Sequence, residues 1–342
     1  MNTVPRLTVG LPVYNGERYL AESIDSLLGQ SYTDFELIIS DNASTDDTPG
    51  ICERYAKQDS RIQYHRQPAN IGLAPNHNFC AEQAKGELFK WAAGDDLYHR
   101  DLLLRCVEVI DEHPEVVLAH AYTAMIDGDS KVYQANAYSL GTSAPRPSDR
   151  FRSMLHDNGG DDDGGVIRKA VLLRTAMKDS YHHADRTIIA ELALHGPFCH
   201  VPEWMYFRRD HPDRAERAHP GVRARCANMD PRRANPWRQP LPRLLTAYIW
   251  AYVRMIQRAP LTPAERAACY GHLATWLAKR SKPHHLVTWD SPVAESQPSI
   301  DIDEVVPRGG ARLSLTPDGR GSVCSVSWAR GTSATMPRSK RS

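Results

Sequence analysis

The sequence predicts an α/β protein: a mostly parallel sheet with helices on both faces, followed by a C-terminal helical extension. Three observations predict it. Short apolar runs alternate with amphipathic segments over the first 122 residues. Polar, acid-rich loops follow those runs, and two apolar-striped segments stand together at residues 241–256 and 264–277. Strands separated by one helix each require right-handed crossovers, and therefore parallel pairing.

In chain order, Leu7, Thr8, Val9, Gly10 and Leu11 form a buried strand ended by Pro12. Residues 17–28 then place Ala21, Ile24, Leu27 and Leu28 on one helical stripe. Residues 35–40 read as the second strand, and Ser44 and Asp47 have capping-box spacing, so a helix is expected from there towards Ala56. A short strand at 61–65, a helix at 72–84 and a strand at 88–92 follow, the last closed by Gly94, Asp95 and Asp96. A helix at 101–110 and a strand at 116–122 complete the regular part.

Beyond Asp127 the pattern loosens. Residues 143–149 are rich in Pro and Ser, and 158–165 are Gly and Asp with one Asn, a flexible composition. A strand is expected at 166–167, a short helix at 169–175 and a longer one at 184–194. In the extension Leu241, Leu245, Tyr248, Tyr252 and Ile256 form a stripe, with residues 264–277 as its antiparallel partner. From about His285 the chain is rich in Ser, Pro, Gly and Arg, which suits a poorly ordered tail.

Lys plus Arg number 42 against 41 Asp plus Glu, a formal charge of +1 with no electrostatic footprint for nucleic acid. The seven cysteines form no CxxC pair or zinc cluster and read as reduced thiols of a cytoplasmic protein. The first strand starts within ten residues of Met1, so no signal peptide is expected, and no apolar stretch is long enough to cross a bilayer.

Neither a GxGxxG fingerprint nor a GxxxxGK[ST] loop follows the first strand. The strand ends are instead acidic, at Asp41 and at Asp95 with Asp96. Ligands of such sheets bind beyond the carboxyl ends of the strands. An acidic rim repels phosphate unless a divalent cation intervenes, which points to a metal bridging carboxylate and diphosphate. Adjacent carboxylates in an extended segment face different ways, so one can meet a metal while the other reaches a ribose hydroxyl. The structural alternative is a capping loop before Tyr98.

These motifs resemble the family 2 glycosyltransferases, inverting enzymes with the GT-A fold. Pro12, Tyr14 and Asn15 look like the family's P-x-Y-N, and Tyr19 and Leu20 like the pair that often follows it. The run from Ile24 to Tyr32, the Glu36–Asp41 strand and the loop from Asn42 to Thr48 are similar to the family too. Asn70 and Gly72 resemble its N-x-G, and Gly94, Asp95 and Asp96 its D-x-D equivalent. The match is ordered over about 100 residues and continues more weakly to Pro212.

The resemblance implies a GT-A-like domain over 1–225, with a nucleotide-sugar half at 1–127 and an acceptor and catalytic half at 128–225. A helical extension at 226–284 and the tail at 285–342 would follow. It implies that Pro12, Tyr14 and Glu17 line the nucleoside pocket, that Asp41 accepts from the base and that Asp95 binds ribose. Asp96 would ligate Mg²⁺ or Mn²⁺, joined by His211, since Tyr206, Arg209 and His211 resemble the closing Y-R-x-H segment and an Arg there would add positive charge.

The family's E-D pair becomes Ala184 and Asp185 here, which implies Asp185 as general base. His183, Glu191 and the Asp161, Asp162 and Asp163 run compete for that role, although the run's glycine surroundings favour an acceptor loop or solvated turn. The implied function is inverting, metal-dependent transfer of a sugar from a nucleoside-diphosphate sugar to a glycan, lipid or small-molecule acceptor, in cell-envelope or glycoconjugate synthesis. The alternatives are a non-catalytic nucleotide-sugar-binding or scaffolding protein and a nucleotidyltransferase. The Arg-rich stretch from 208 to 243 beside the amphipathic 241–256 segment is compatible with peripheral attachment to the inner face of an anionic membrane.

Overall fold

In Phe35–Asp41 (β2) every residue is buried, as expected of a strand covered on both faces. Its side chains part by the period of two: Leu37 and Ile39 enter one core while Ile38 enters another. β2 pairs in parallel with Leu7–Val13 (β1) on one side and Ile62–Arg66 (β3) on the other, and β1 pairs in parallel with Leu88–Trp91 (β4). Leu20–Leu28 (α1) and Thr48–Gln58 (α2) bury their apolar stripes on the first face, and Leu73–Gln83 (α3) packs on the second. A side chain at Gly10 would meet the Cys80 Cβ at 2.6 Å, so α3 can approach β1 only because position 10 has none.

The computed structural model describes residues 4–136, 140–156, 164–280, 300 and 302–306, all of them within one compact unit. Past β4 come Leu97–Tyr98 (β5), Leu102–Glu112 (α4), Leu118–Ile126 (β6), Val132–Asn136 (β7), Pro147–His156 (α5), Val166–Arg168 (β8) and Lys169–Leu172 (α6). Ala184–His195 (α7) and Phe198–Arg209 (β9) follow. The sheet order is β3-β2-β1-β4-β8-β6-β9-β5, with β7 paired to β6. It is parallel through β4 and mixed beyond, because β8 runs antiparallel to both β4 and β6 while β6 and β9 are parallel. The two reversals cancel. The carboxyl ends of β6 and β9 therefore emerge on the same rim as those of β1 and β2.

Several boundaries differ from expectation for local reasons. The first helix starts at Leu20, since Asn15, Gly16 and Glu17 are tied to the 44–48 loop instead. Ser44 does not cap a helix: its Oγ accepts from the Asn15 N–H, and α2 starts at Thr48. The Pro- and Ser-rich segment opens α5, where Pro147 is the first residue of the helix, a position a proline tolerates. β5, β7 and β9 lie outside the expected strands; the pairing of β9 with β6 shifts register around Tyr122, which hides the alternation.

Beyond β9 lie Ala215–Ala218 (α8), Val222–Met229 (α9), a 3₁₀ turn at Pro231–Arg233, Leu241–Arg258 (α10) and Pro263–Lys279 (α11). Trp276 returns against Tyr252, with ring centroids 5.4 Å apart, so α10 and α11 are antiparallel. With α5 and α7 they enclose a second core around Phe151, Leu194, Tyr248 and Trp276. The stripe on α10 centres on Leu244, Tyr248, Tyr252 and Ile256, whereas Leu241 is exposed.

Ile302–Val305 (α12) belongs to the segment expected to be a tail, yet Ile302 and Val306 pack on Leu97, Ala124 and Phe207. The Arg100 N–H donates to the Val305 carbonyl at 2.9 Å. The rest of the segment after 285, and the Asp161, Asp162 and Asp163 run, lie outside the described residues. Among the described residues six cysteines are free and buried, and no helix is long and apolar enough to cross a membrane.

Candidate functional site

Two polar clusters stand on the rim where β1, β2, β6 and β9 end. The first is a clasp between the loops after β1 and β2. The Asn15 N–H donates to Ser44 Oγ at 2.9 Å, the Gly16 N–H to Thr48 Oγ1 at 2.8 Å and the Glu17 N–H to Asp46 Oδ2 at 3.1 Å. Glu17 answers by accepting from the Asp47 N–H at 2.9 Å, so its carboxylate holds the clasp. Tyr14 is 48% exposed at the lip, and Pro12 is half-buried at the end of β1. Asp41 is fully buried: its Oδ1 accepts from the Ser44 N–H at 2.8 Å, and its Oδ2 from the Tyr64 hydroxyl at 3.0 Å. Arg66 lies 3.5 Å from the same Oδ2.

The second cluster joins the turn after β4 to the end of β9. Asp96 is 0% exposed and turns inward, where it accepts from the Tyr206 hydroxyl and from the Arg209 N–H at 2.9 Å. Tyr206 is itself held flat against Tyr98 of β5, with centroids 5.6 Å apart. Asp95 turns outward, with a partly exposed side chain, and its Oδ2 lies 3.0 Å from His211 Nε2. Asp95 thus keeps part of its side chain at the surface, while Asp96 is covered.

Burial pushes the Asp96 carboxyl up to about 6, and the charge of Asp95 adds to it, with Arg214, Tyr206 and the Arg209 N–H opposing. Desolvation also raises Asp95, but the hydrogen bond from His211 and the charge of Arg214 outweigh it and hold that carboxyl below its ordinary value.

Arg209 does not face a ligand. Its buried guanidinium donates to the Asp95 carbonyl at 2.8 Å, to Ser130 Oγ at 3.0 Å and to Glu22 Oε2 at 2.9 Å, and it covers the Tyr19 ring at 4.4 Å. It fastens α1 and the β6–β7 turn to the acidic turn. The cation nearest the carboxylates is Arg214, 3.6 Å from Asp96 Oδ1.

Tyr19, Glu22, Arg214 and Lys178 are the members that sequence reasoning did not assign. The Arg214 and Lys178 positions carry no periodic signal. Tyr19 was visible only as part of a motif.

Asp185 stands apart, in the first turn of α7. Among the described residues no hydrogen bond or ion pair joins it to Asp95, Asp96 or His211. Its Oδ1 is 2.6 Å from Lys178 Nζ, and that ammonium also lies over the Trp91 ring at the end of β4, 5.3 Å from the centroid. Glu191 is buried, accepting from Arg258 Nε at 2.6 Å and from the Ala176 N–H at 3.0 Å, so it anchors α10 to α7 and has no spare oxygen for a substrate. His183 precedes α7 and its ring lies against His182, with centroids 4.6 Å apart.

For a cation, Asp95 supplies a hard oxygen donor beside His211 Nε2, while His211 Nδ1, on the far edge of the ring, is buried without a hydrogen-bond partner. Among the described residues no group of three or more His, Cys, Asp or Glu side chains encloses an ion. That donor set fits an open site completed by phosphate oxygens and water, the arrangement Mg²⁺ favours. It does not fit an all-protein cage.

Among curated proteins the chain is 41% identical over 114 residues to the provisionally named glycosyltransferase EpsE of Bacillus subtilis strain 168, spanning 33% of this chain and 41% of that one. It is 28% identical over 127 residues to glycosyltransferase GlyG of Streptococcus pneumoniae serotype 4, spanning 37% and 42%. The chain thus covers less than half the length of these relatives. Among solved structures it is similar to S. aureus TarS, at 18% identity and a TM-score of 0.49 over 83% of this chain and 54% of that one. It is also similar to the mannosyltransferase PcManGT of Pyrobaculum calidifontis in complex with GDP-Man and Mn²⁺, at 18% identity and a TM-score of 0.48 over 84% and 86%. Residues 8–180, from β1 through the clasp and the Asp95–Asp96 turn to the segment before α7, match the model of glycosyl transferase family 2, and the chain belongs to that family.

Proposed function

We propose that the protein is an inverting glycosyltransferase that moves a sugar from a nucleoside-diphosphate sugar to an acceptor hydroxyl. The observation that carries this reading is the outward-facing Asp95, paired with His211 at 3.0 Å on the rim where the strands end. Asp95 and His211 would hold Mg²⁺ or Mn²⁺ against the diphosphate, which supports moving the metal-ligating role from the covered Asp96 to Asp95. The cation, when bound, neutralises charge developing on the diphosphate leaving group. Asp96 positions the site, fixing Tyr206 and the backbone of Arg209.

Tyr14 and Pro12 line the nucleoside pocket, and Glu17 shapes it by closing the clasp. Asp41 acts through Ser44 and Tyr64, since its carboxylate is covered. Asp185 is the general base on the acceptor side. Its proton affinity need only suffice as the new glycosidic bond forms, when the hydroxyl's acidity rises. Lys178 orients that carboxylate. The glycosyltransferase names of the curated relatives agree with sugar transfer, and we place the protein in cell-envelope or glycoconjugate synthesis, on the cytoplasmic side.

The test is a screen of nucleotide sugars for Mn²⁺-dependent thermal protection of the full chain, followed by release of nucleoside diphosphate with candidate acceptors. Protection by one donor and turnover with inversion at the anomeric carbon are expected. Protection without turnover on any acceptor would favour the non-catalytic binding protein.

A further inference from the structure

Four arginines meet in a cleft of about 450 Å³ between the Pro231–Arg233 turn, α10 and the segment leading into α7. Arg232 and Arg233 come from the turn, Arg243 and Arg254 from α10. Eleven residues are close to three helical turns, so Arg243 and Arg254 share a face of α10 about 16 Å apart along its axis, with the small Ala247 between them.

Two aspartates also line the cleft, and both are spent internally. Asp230 accepts from the Arg232 backbone N–H at 2.9 Å and from its side chain at 2.9–3.1 Å. Asp179 accepts from the Ser180 N–H at 2.6 Å and the Tyr181 hydroxyl at 2.5 Å, while Arg233 stays 3.9 Å away. Four guanidinium groups against two carboxylates leave the cleft net positive. Arg243 uses one nitrogen on the Arg238 carbonyl at 2.9 Å. Arg254 is exposed, with no hydrogen-bond or ion-pair partner among the described residues. Gln239 also lines the cleft, and its side-chain oxygen is buried without a partner.

The cleft is fastened to both halves of the site. Gly72, at φ +94, lies so close under the turn that a Cβ there would be 2.5 Å from the Met229 carbonyl. On the other side Ser180 Oγ meets Asp230 Oδ2 at 3.4 Å, and Lys178, two residues earlier, holds Asp185.

We infer that this cleft binds a phosphate group carried by the acceptor, held by Arg243 and Arg254 with Arg232 and Arg233 beside them, and the acceptor's hydroxyl presented towards Asp185. Guanidinium forks match phosphate oxygens two at a time, and the cleft's surplus of two positive charges suits a dianionic phosphomonoester better than a single carboxylate. Only the word acceptor rests on the glycosyl-transfer reading; the anion site stands on the cleft itself. The phosphate has two sources, a soluble phosphorylated glycan or a lipid headgroup.

The experiment titrates the full chain with sn-glycerol 3-phosphate by calorimetry, without divalent cation, against the Arg243→Gln, Arg254→Gln double variant. Both side chains are exposed and lie outside the donor cluster, so folding should be intact. Binding should weaken roughly tenfold for each arginine removed. Equal affinity in both proteins, or no binding to the parent, overturns the inference. Flotation with phosphatidic acid in phosphatidylcholine vesicles, against phosphatidylcholine alone, separates the sources. Arginine-dependent flotation assigns a lipid headgroup, and phosphomonoester binding without flotation assigns a soluble acceptor. Flotation that survives the double substitution counts against the cleft. Uridine and guanosine diphosphates with Mn²⁺ should bind both proteins alike. If neither nucleotide binds while the phosphomonoester result holds, the glycosyl-transfer reading falls and the anion cleft remains.

Discussion

His211 Nε2 lies 3.0 Å from the Asp95 carboxylate although 116 positions separate them in the chain. That contact closes the acidic turn after β4 against the end of β9, and it leaves Asp96 with its oxygens occupied inside the protein. The neighbouring carboxylates should therefore fail differently when altered.

Asp95→Asn should abolish most Mn²⁺-dependent nucleoside-diphosphate binding while shifting the melting temperature little. Asp96→Ala removes the acceptor of the buried Arg209 N–H, at a cost of about 1–3 kcal/mol. Its loss of binding should come with a lower melting temperature. Calorimetric titration beside thermal melts separates the two. A stable, non-binding Asp96→Ala protein would return the metal to Asp96.

Asp185→Asn should leave donor binding unchanged and slow single-turnover transfer roughly 10²–10⁴-fold, the usual contribution of general acid–base catalysis. Glu191→Gln should act through stability instead, by about 1–3 kcal/mol, because it weakens the tie to Arg258 and the Ala176 N–H. Transfer at saturating donor, metal and acceptor, with melts of both variants, checks this. A fast Asp185→Asn beside a stable but inactive Glu191→Gln would exchange their roles.

Much of this was legible in the sequence. The parallel half of the sheet could be read because Leu7, Val9, Leu11, Leu37 and Ile39 form short apolar runs bounded by polar loops. Asp95, Asp185 and His211 could be named because their motifs are local. What could not be read is which way a carboxylate turns, since Asp95 and Asp96 differ only through contacts with Tyr206, Arg209 and His211, more than a hundred positions away. β9 was hidden by its register shift, and α12 by a composition that gave no sign of the apolar surface on Leu97 and Phe207 that receives it.

The acid limb of stability should be set partly by Asp59. The hydrogen bonds from Arg61, opposed by partial burial, hold its carboxyl below the ordinary value. A depressed carboxyl stabilises the fold above its unfolded pKa of about 3.9 and loses that contribution as pH falls through the folded value. The melting temperature should drop between about pH 5 and 3, and less steeply in Asp59→Asn. Parallel slopes for the two proteins would remove Asp59 from the account.

Ile302→Ala should destabilise the protein by about 2 kcal/mol, the low end for an aliphatic truncation in a core, because only one short helix is released. Chemical denaturation of the full chain measures it. Donor binding should change less than stability, since Ile302 packs on the apolar side chains of Leu97 and Phe207. A stability equal to the parent's would show that residues 302–306 contribute no packing energy.

Strand β8 is three residues long and antiparallel to both neighbours. The chain leaves β6 for β7 and α5 and re-enters the gap between β4 and β6 in the opposite sense, and α6 and α7 then carry it on to a β9 parallel to β6. Arg209 and His211, at and just past the end of β9, therefore reach the rim where the turn after β4 presents Asp95, although the chain has reversed twice on the way.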